Sequence, residues 1–230
     1  MVDVLQADLI SSPARHRMSD RVADDLFRLI VTLQLKPGSI LNETALMQHL
    51  QCGRTPLREA LIALERQALI RIVPRQATLV TEITLAASAE IYEALRWVEG
   101  PLARLAAERI TGGALHELAA DCAALENFRP PAQPTPDSFY RLADLDFDFH
   151  VVIARAAGNQ FLIATLDALR GSALRLMCLS YRGADVVPHV AAEHRLVLDA
   201  LNAGDAAAAE SAMQAHADAG KRRMFEQASR

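Results

Sequence analysis

Asp146 and His150 are four residues apart, the spacing that puts two side chains on one face of a helix about a turn from each other, able to grip one ion. Asp148, two residues from His150, points elsewhere on the same helix. His194 and His216 flank Gly204-Asp205 nearly symmetrically, ten residues before the glycine and twelve after it. If that dipeptide is a bend between two helices, the two imidazoles meet. One carboxylate and three imidazoles suit a divalent transition metal, zinc first, with nickel, manganese or iron as alternatives. In an octahedral ion they leave two positions for water or a bidentate organic acid. His189 begins its predicted helix beside Pro188 and reads as a capping or exposed residue, while His49 and His116 have no partner at helical spacing.

A second cluster does different chemistry. In Gly53-Arg54-Thr55-Pro56-Leu57-Arg58-Glu59-Ala60-Leu61, Pro56 pins the first turn of a helix, where its missing N–H costs nothing. Arg54, Thr55 and Arg58 therefore gather at a helix N-terminus. Its free N–H groups attract phosphate, and arginine forks there can reach guanine O6 and N7 in a major groove.

Elements must position both clusters. Val22, Leu26, Leu29, Ile30 and Leu33 recur at three- and four-residue spacing after Ser19, a possible cap, and predict a helix closed by Lys36-Pro37-Gly38-Ser39. A second helix starts near Asn42-Glu43 and, after the break Gln51-Cys52-Gly53, a third carries Leu57, Leu61, Leu64 and Leu69. Ile70, Ile72, Leu79 and Val80 flank Pro74-Arg75-Gln76-Ala77 and predict a short two-stranded wing. Six further helices are expected over about 86–110, 114–128, 138–157, 160–181, 189–203 and 205–227, each apolar on one face as a bundle requires. The fold class is thus mostly α, a winged helix-turn-helix followed by an all-helical antiparallel bundle. The boundaries fall at 1–17 for a flexible N-terminal arm, 18–81 for the winged unit and 82–230 for the bundle.

Charge follows that division. Residues 14–80 hold ten Lys+Arg against six Asp+Glu, while residues 81–230 hold 14 against 20, so a basic module meeting a polyanion precedes an acidic one. No apolar run reaches the roughly 18 to 20 residues of a membrane-spanning helix, and the N-terminus lacks a basic segment followed by an apolar one. The chain reads as cytoplasmic, without a membrane partner. Cys52, Cys122 and Cys178 fit neither a disulfide framework nor a paired-cysteine zinc site.

Leu41-Asn42-Glu43 to Leu50, the Arg54-Thr55-Pro56-Leu57-Arg58-Glu59-Ala60-Leu61 run, Leu64, Leu69-Ile70 and Val80 resemble the N-terminal domain of the GntR family. The resemblance implies DNA contacts by Arg54, Thr55 and Arg58, joined by Arg75 at the wing, on a near-palindromic operator bound by a homodimer. Three positions depart from the family pattern: Gly53 stands for a serine, Ala68 for a glycine before Leu69, and Ala77 for a glycine near the wing tip. Lacking glycine, a wing turn that needs positive φ at Ala77 is expected to be strained.

Asp146-Phe147-Asp148-Phe149-His150, Gly158-Asn159, Glu193-His194-Arg195, Gly204-Asp205 and Met213 with His216 resemble the FCD ligand-binding domain of FadR-type regulators. That likeness implies a metal held by Asp146, His150, His194 and His216 at the floor of an effector pocket. Tyr92-Glu93-Ala94-Leu95-Arg96 resembles its first helix, so Arg96 is expected to pair with a small carboxylate effector, with Arg175 as a second candidate. The competing expectation for Arg96 is a surface ion pair with Glu93 or Glu99. Effector-controlled transcription, as a repressor, is the function implied; a direct metal sensor and a metal-dependent hydrolase are the alternatives. Against the hydrolase, no general base stands at an evident spacing from the four ligands.

Overall fold

The computed structural model describes residues 17–129, 131, 133, 135–180 and 186–228. The predicted arm over 1–17 therefore lies, apart from Arg17, outside the described residues.

The N-terminal unit consists of α1 (Met18–Val31), α2 (Glu43–His49), α3 (Arg54–Arg66), β1 (Ile70–Val73) and β2 (Ala77–Val80). Ser19 lies inside α1 and does not cap it. Asp20 instead accepts a hydrogen bond from the Arg17 backbone N–H at 3.1 Å. Leu33 falls beyond the helix end, with φ +63. Asn42 caps α2 through a 3.0 Å bond from the Ala45 N–H, and Val22, Leu26, Ile30, Leu57, Leu61 and Leu64 form the shared core of α1 and α3. The strands pair antiparallel with Val73 opposite Ala77, closed by a three-residue loop.

Left-handed backbone in this unit does not fall where the family likeness placed it. Ala77 is paired in β2, and the positive φ belongs to Arg75, at +61. Pro74 precedes Arg75, and the Gln76 N–H bonds the Val73 carbonyl at 3.1 Å, the pattern of a type II turn with proline at its second position. Ala68, where the family has glycine, is also exposed and left-handed, at φ +55.

Six helices follow: α4 (Leu85–Arg109), α5 (Gly112–Glu126), α6 (Pro136–Ala157), α7 (Gln160–Ser180), α8 (Val186–Asn202) and α9 (Ala206–Ala228). Thr84, Thr111, Thr135 and Asp205 each cap the helix that follows with a side-chain oxygen. Helix α8 begins at Val186, so Pro188 and His189 lie in its first turn and not before it. Helix α4 packs on α6, α7 and α9. Gly204 adopts φ +68, which glycine accepts at no steric cost, and turns the chain so that α8 and α9 pack together.

The two units are packed together by specific contacts. A Cβ on Gly171 of α7 would come within 2.7 Å of Leu69, so only glycine admits that side chain. The Arg175 guanidinium donates to the Thr81 carbonyl at 2.6 Å, and Arg28 of α1 pairs with Asp137 of α6 at 3.1 Å. Arg170 pairs with Asp144 at 2.9 Å and lies over the rings of Phe27 and Phe147, 5.6 and 5.8 Å from their centroids.

An alanine in the left-handed region costs on the order of 1–2 kcal/mol. Ala68→Gly is therefore expected to stabilise the protein by about 1 kcal/mol, raising the unfolding midpoint by roughly 2–4 °C in calorimetry. Ala77→Gly, in a paired strand, should lower it slightly; a rise would mean that the strained position is Ala77 after all.

Candidate functional site

Helix α3 presents one end to solvent. Gly53 is its extended N-cap and makes no side-chain bond, and the first turn is Arg54-Thr55-Pro56. Arg54, Thr55 and Arg58 are exposed while Leu57, Ala60 and Leu61 are buried, so the apolar face holds the helix and the polar face is free to meet a groove. Arg75 is exposed at the tip of the wing.

The second site lies inside the helical unit. Asp146 and His150 project from α6, His194 from α8 and His216 from α9, and none is more than 7% exposed. One nitrogen from each of His150, His194 and His216 lies within 4.8 Å of the others, a group able to hold a metal ion. Asp146 Oδ1 lies 3.2 Å from His194 Nε2. The Nε2 atoms of His150 and His194 are buried without a hydrogen bond, which is costly for polar atoms unless something else engages them. Three imidazoles with an adjacent carboxylate fit a first-row divalent ion, and the site would use these four side chains. Phe149 stacks on the His194 ring at 4.1 Å, and Asp148 is exposed.

Two carboxylates outside that set touch it. Glu99 of α4, which spacing alone did not connect to the histidines, has Oε1 3.1 Å from His150 Nδ1, at an angle bent away from a full hydrogen bond. Glu193 Oε2 lies 2.9 Å from His216 Nδ1, and Arg223 grips both Glu193 oxygens at 2.5 and 3.0 Å. Burial alone would raise the Glu193 carboxyl. The bonds from His216 and Arg223 outweigh that and hold it down at about 2. Burial opposes a proton on His150, but Glu99 and Asp146 outweigh it and raise the pKa. His194 moves the other way. Burial, with His216 and His150 nearby, pushes it well below the ordinary histidine value and leaves its ring neutral.

A cavity of about 40 Å³ opens beside the histidines. Its polar wall includes Tyr92, Glu99, His150, Ser180, His216 and Arg223, and Leu95, Met177 and Val190 supply apolar surface. Burial pushes the Tyr92 hydroxyl up to about 12.

Neither arginine expected to meet an effector reaches this cavity. Arg96 bonds Asp218 at 3.3 Å and Gln214 at 3.2 Å, both on α9, and lies over Trp97; its partners are not Glu93 or Glu99. Arg175 is buried at the junction with the winged unit, bonded to Thr81, where loss of water lowers its pKa to about 10. Arg223 is the cation that lines the cavity. Arg223 stands in the basic run Lys221-Arg222-Arg223, and nothing in its spacing singles it out from its neighbours.

Residues 18–80 match the gntR family of bacterial regulatory proteins, and residues 90–219 match the FCD domain. The chain belongs to the GntR family and carries an FCD domain. It is 28% identical over 192 residues to the HTH-type transcriptional repressor RspR of Escherichia coli (strain K12), covering 83% of this chain and 82% of that one. The putative L-lactate dehydrogenase operon regulatory protein of the same organism is 30% identical over 225 residues, with 87% and 83% covered. The structure of E. coli McbR/YncC has the same fold, with a TM-score of 0.74 at 21% identity over 95% of this chain and 99% of that one. This GntR protein is accordingly a transcriptional regulator and not an enzyme. Among the described residues no helix is long and apolar enough to cross a membrane.

Because the folded Glu193 carboxyl is held below its unfolded value, its contribution to stability is complete above about pH 4.5 and is lost as pH falls toward 2. That contribution is on the order of 3 kcal/mol. Acid unfolding followed by circular dichroism should show Arg223→Ala losing stability at pH 6 and depending less on pH between 5 and 3 than the parent. Equal pH dependence in the two would mean that Arg223 does not hold the carboxylate down.

Proposed function

We propose that this GntR regulator represses transcription as a homodimer on a two-fold operator, and that a short organic acid bound beside a divalent metal in the FCD domain controls it. The observation that carries the reading is the convergence of three buried imidazoles and Asp146 beside a small cavity, in a chain that presents Arg54, Thr55 and Arg58 at the free end of a helix.

The metal-binding residues are Asp146, His150, His194 and His216, and zinc is the first choice for such a donor set. Bound there, the ion supplies a positive centre with positions left for a carboxylate or water. Cavity size limits the effector. Some 40 Å³ holds about three water-sized groups, which suits an acid of few carbon atoms. Arg223, in place of Arg96 or Arg175, is the side chain poised to meet its carboxylate, with the Tyr92 and Ser180 hydroxyls on the same wall. The lactate operon in one relative's name is consistent with an acid of this size. Repression is supported by the name of another relative. Arg75 adds a backbone contact from the wing, and a homodimer supplies the second recognition helix that a two-fold site needs.

Arg58→Ala is expected to weaken operator binding by about 1–3 kcal/mol and flatten base preference, measured by fluorescence anisotropy on operator variants alongside particle mass by light scattering. Unchanged specificity, or a monomer with full affinity, would refute the DNA-binding arrangement.

Purified protein should hold about one zinc per chain, and adding zinc to metal-free protein should raise its unfolding temperature, because the unfolded chain lacks the site. His194→Ala should abolish that rise and the response to short carboxylates while leaving operator binding intact. DNA binding that follows metal concentration with no acid present would identify the ion itself as the signal.

A further inference from the structure

Four side chains are assigned above to the ion. The contacts of two of them run outward to carboxylates that are not assigned to it. Glu193 sits on α8 next to His194 in sequence, yet its side chain serves His216 on α9, at 2.9 Å from Nδ1. An ionised carboxylate can only accept, so His216 Nδ1 carries a proton, and in the neutral ring Nε2 is then the nitrogen with a lone pair to give. Arg223 holds both oxygens of Glu193, which fixes the plane from which it meets the imidazole. On the opposite side of the site, Glu99 of α4 stands 3.1 Å from His150 Nδ1, and the buried Nε2 of that ring is without a hydrogen bond. His194 Nε2, also without one, faces Asp146.

Both carboxylates approach an Nδ1 atom from different helices, Glu193 in a full hydrogen bond and Glu99 at 3.1 Å but off the line of one. We propose that Glu193 and Glu99 are positioning residues for the metal site, each fixing the Nδ1–H form of one imidazole so that His216 and His150 both present Nε2 to the ion. This rests on the metal reading above and extends it to side chains that do not touch the ion. A carboxylate bonded to the far nitrogen of a ligand histidine locks ring orientation and raises ligand basicity, and its loss commonly costs tenfold to a hundredfold in metal affinity. The arrangement also ties the ion to α4, a helix that supplies none of its ligands, through Glu99. It leaves Arg223 shared between Glu193 and the cavity.

Glu193→Gln and Glu99→Gln, made separately in the full chain, provide the test. Each is nearly isosteric, but an amide can donate as well as accept and so no longer dictates which nitrogen is protonated. Zinc affinity is measured by competition with a chelating dye. Protonation of each imidazole is read from ¹⁵N–¹H long-range correlation spectra of ¹⁵N-labelled protein, with and without zinc, and thermal unfolding of the metal-free forms monitors folding. The expected result is a tenfold to hundredfold loss of zinc affinity in each variant. His216 and His150 should be protonated at Nδ1 in the parent, bind zinc through Nε2, and show mixed tautomers in the corresponding variant.

A parent that binds zinc, with variants that bind it equally well, overturns the proposal and leaves the metal site standing. So do spectra showing Nδ1 on the zinc, or weakened variants whose tautomers are unchanged. A parent that takes up no zinc removes the metal reading and this inference with it. If Glu193→Gln fails to fold, Glu99→Gln decides by the same criteria.

Discussion

Burying ionisable side chains among apolar helices is the constraint on which the rest of this structure depends. Asp146, His150, His194, His216 and Glu99 are nearly inaccessible within a bundle whose interior is otherwise mostly leucine, alanine, valine and phenylalanine. An isolated charge in such surroundings costs several kcal/mol, so each must have a partner. The partners are spread over α4, α6, α8 and α9, and packing those helices is inseparable from bringing the groups together. A bundle with its core filled only by hydrocarbon would be simpler to stabilise. This one keeps polar atoms whose hydrogen-bonding capacity the chain itself does not exhaust, and a bound cation is the natural complement to three imidazoles and the carboxylates around them.

The DNA-facing end obeys the opposite logic. There the apolar face of α3 is buried against α1, and the charged residues are left to water until a polyanion arrives. The two regimes meet where the units touch. Helix α6 carries Asp146 and His150, and its Asp144 and Phe147 also hold Arg170 of α7, which lies over Phe27 of α1. Arg175, on the same α7, reaches the Thr81 carbonyl just past the wing. The helix that carries Asp146 and His150 and helix α1, on which α3 packs, are thus joined by contiguous contacts. Leu69 seated over Gly171 tightens that junction further.

Much of this was legible in the sequence because it is local or periodic. Helical spacing, Pro56 and the helix start near Asn42-Glu43 belong to neighbouring residues, and rules about neighbouring residues do not need a fold. The same locality put Asp146 and His150 on one helix face, and the symmetry about Gly204 brought His194 toward His216. Local rules slipped at helix ends, as at Ser19, and inferences that borrowed geometry failed further. The family pattern placed a strained wing residue at Ala77, whereas the turn built on Pro74 moves the positive φ to Arg75 and leaves Ala77 in a ladder.

The sequence by itself determined the helical architecture, the exposed arginines of α3 and the meeting of three histidines with Asp146 beside one of them, since each follows from spacing along one element or about one turn. Only the tertiary structure decided which other groups join them. Glu99 reaches His150 from α4, Arg223 comes to the cavity from the last helix, and Arg96 is drawn off by Asp218, more than 100 residues away in sequence. Each depends on the rotation and register of one helix against another. That is set by how the whole core packs, a sum over many small contacts that no single stretch of sequence contains.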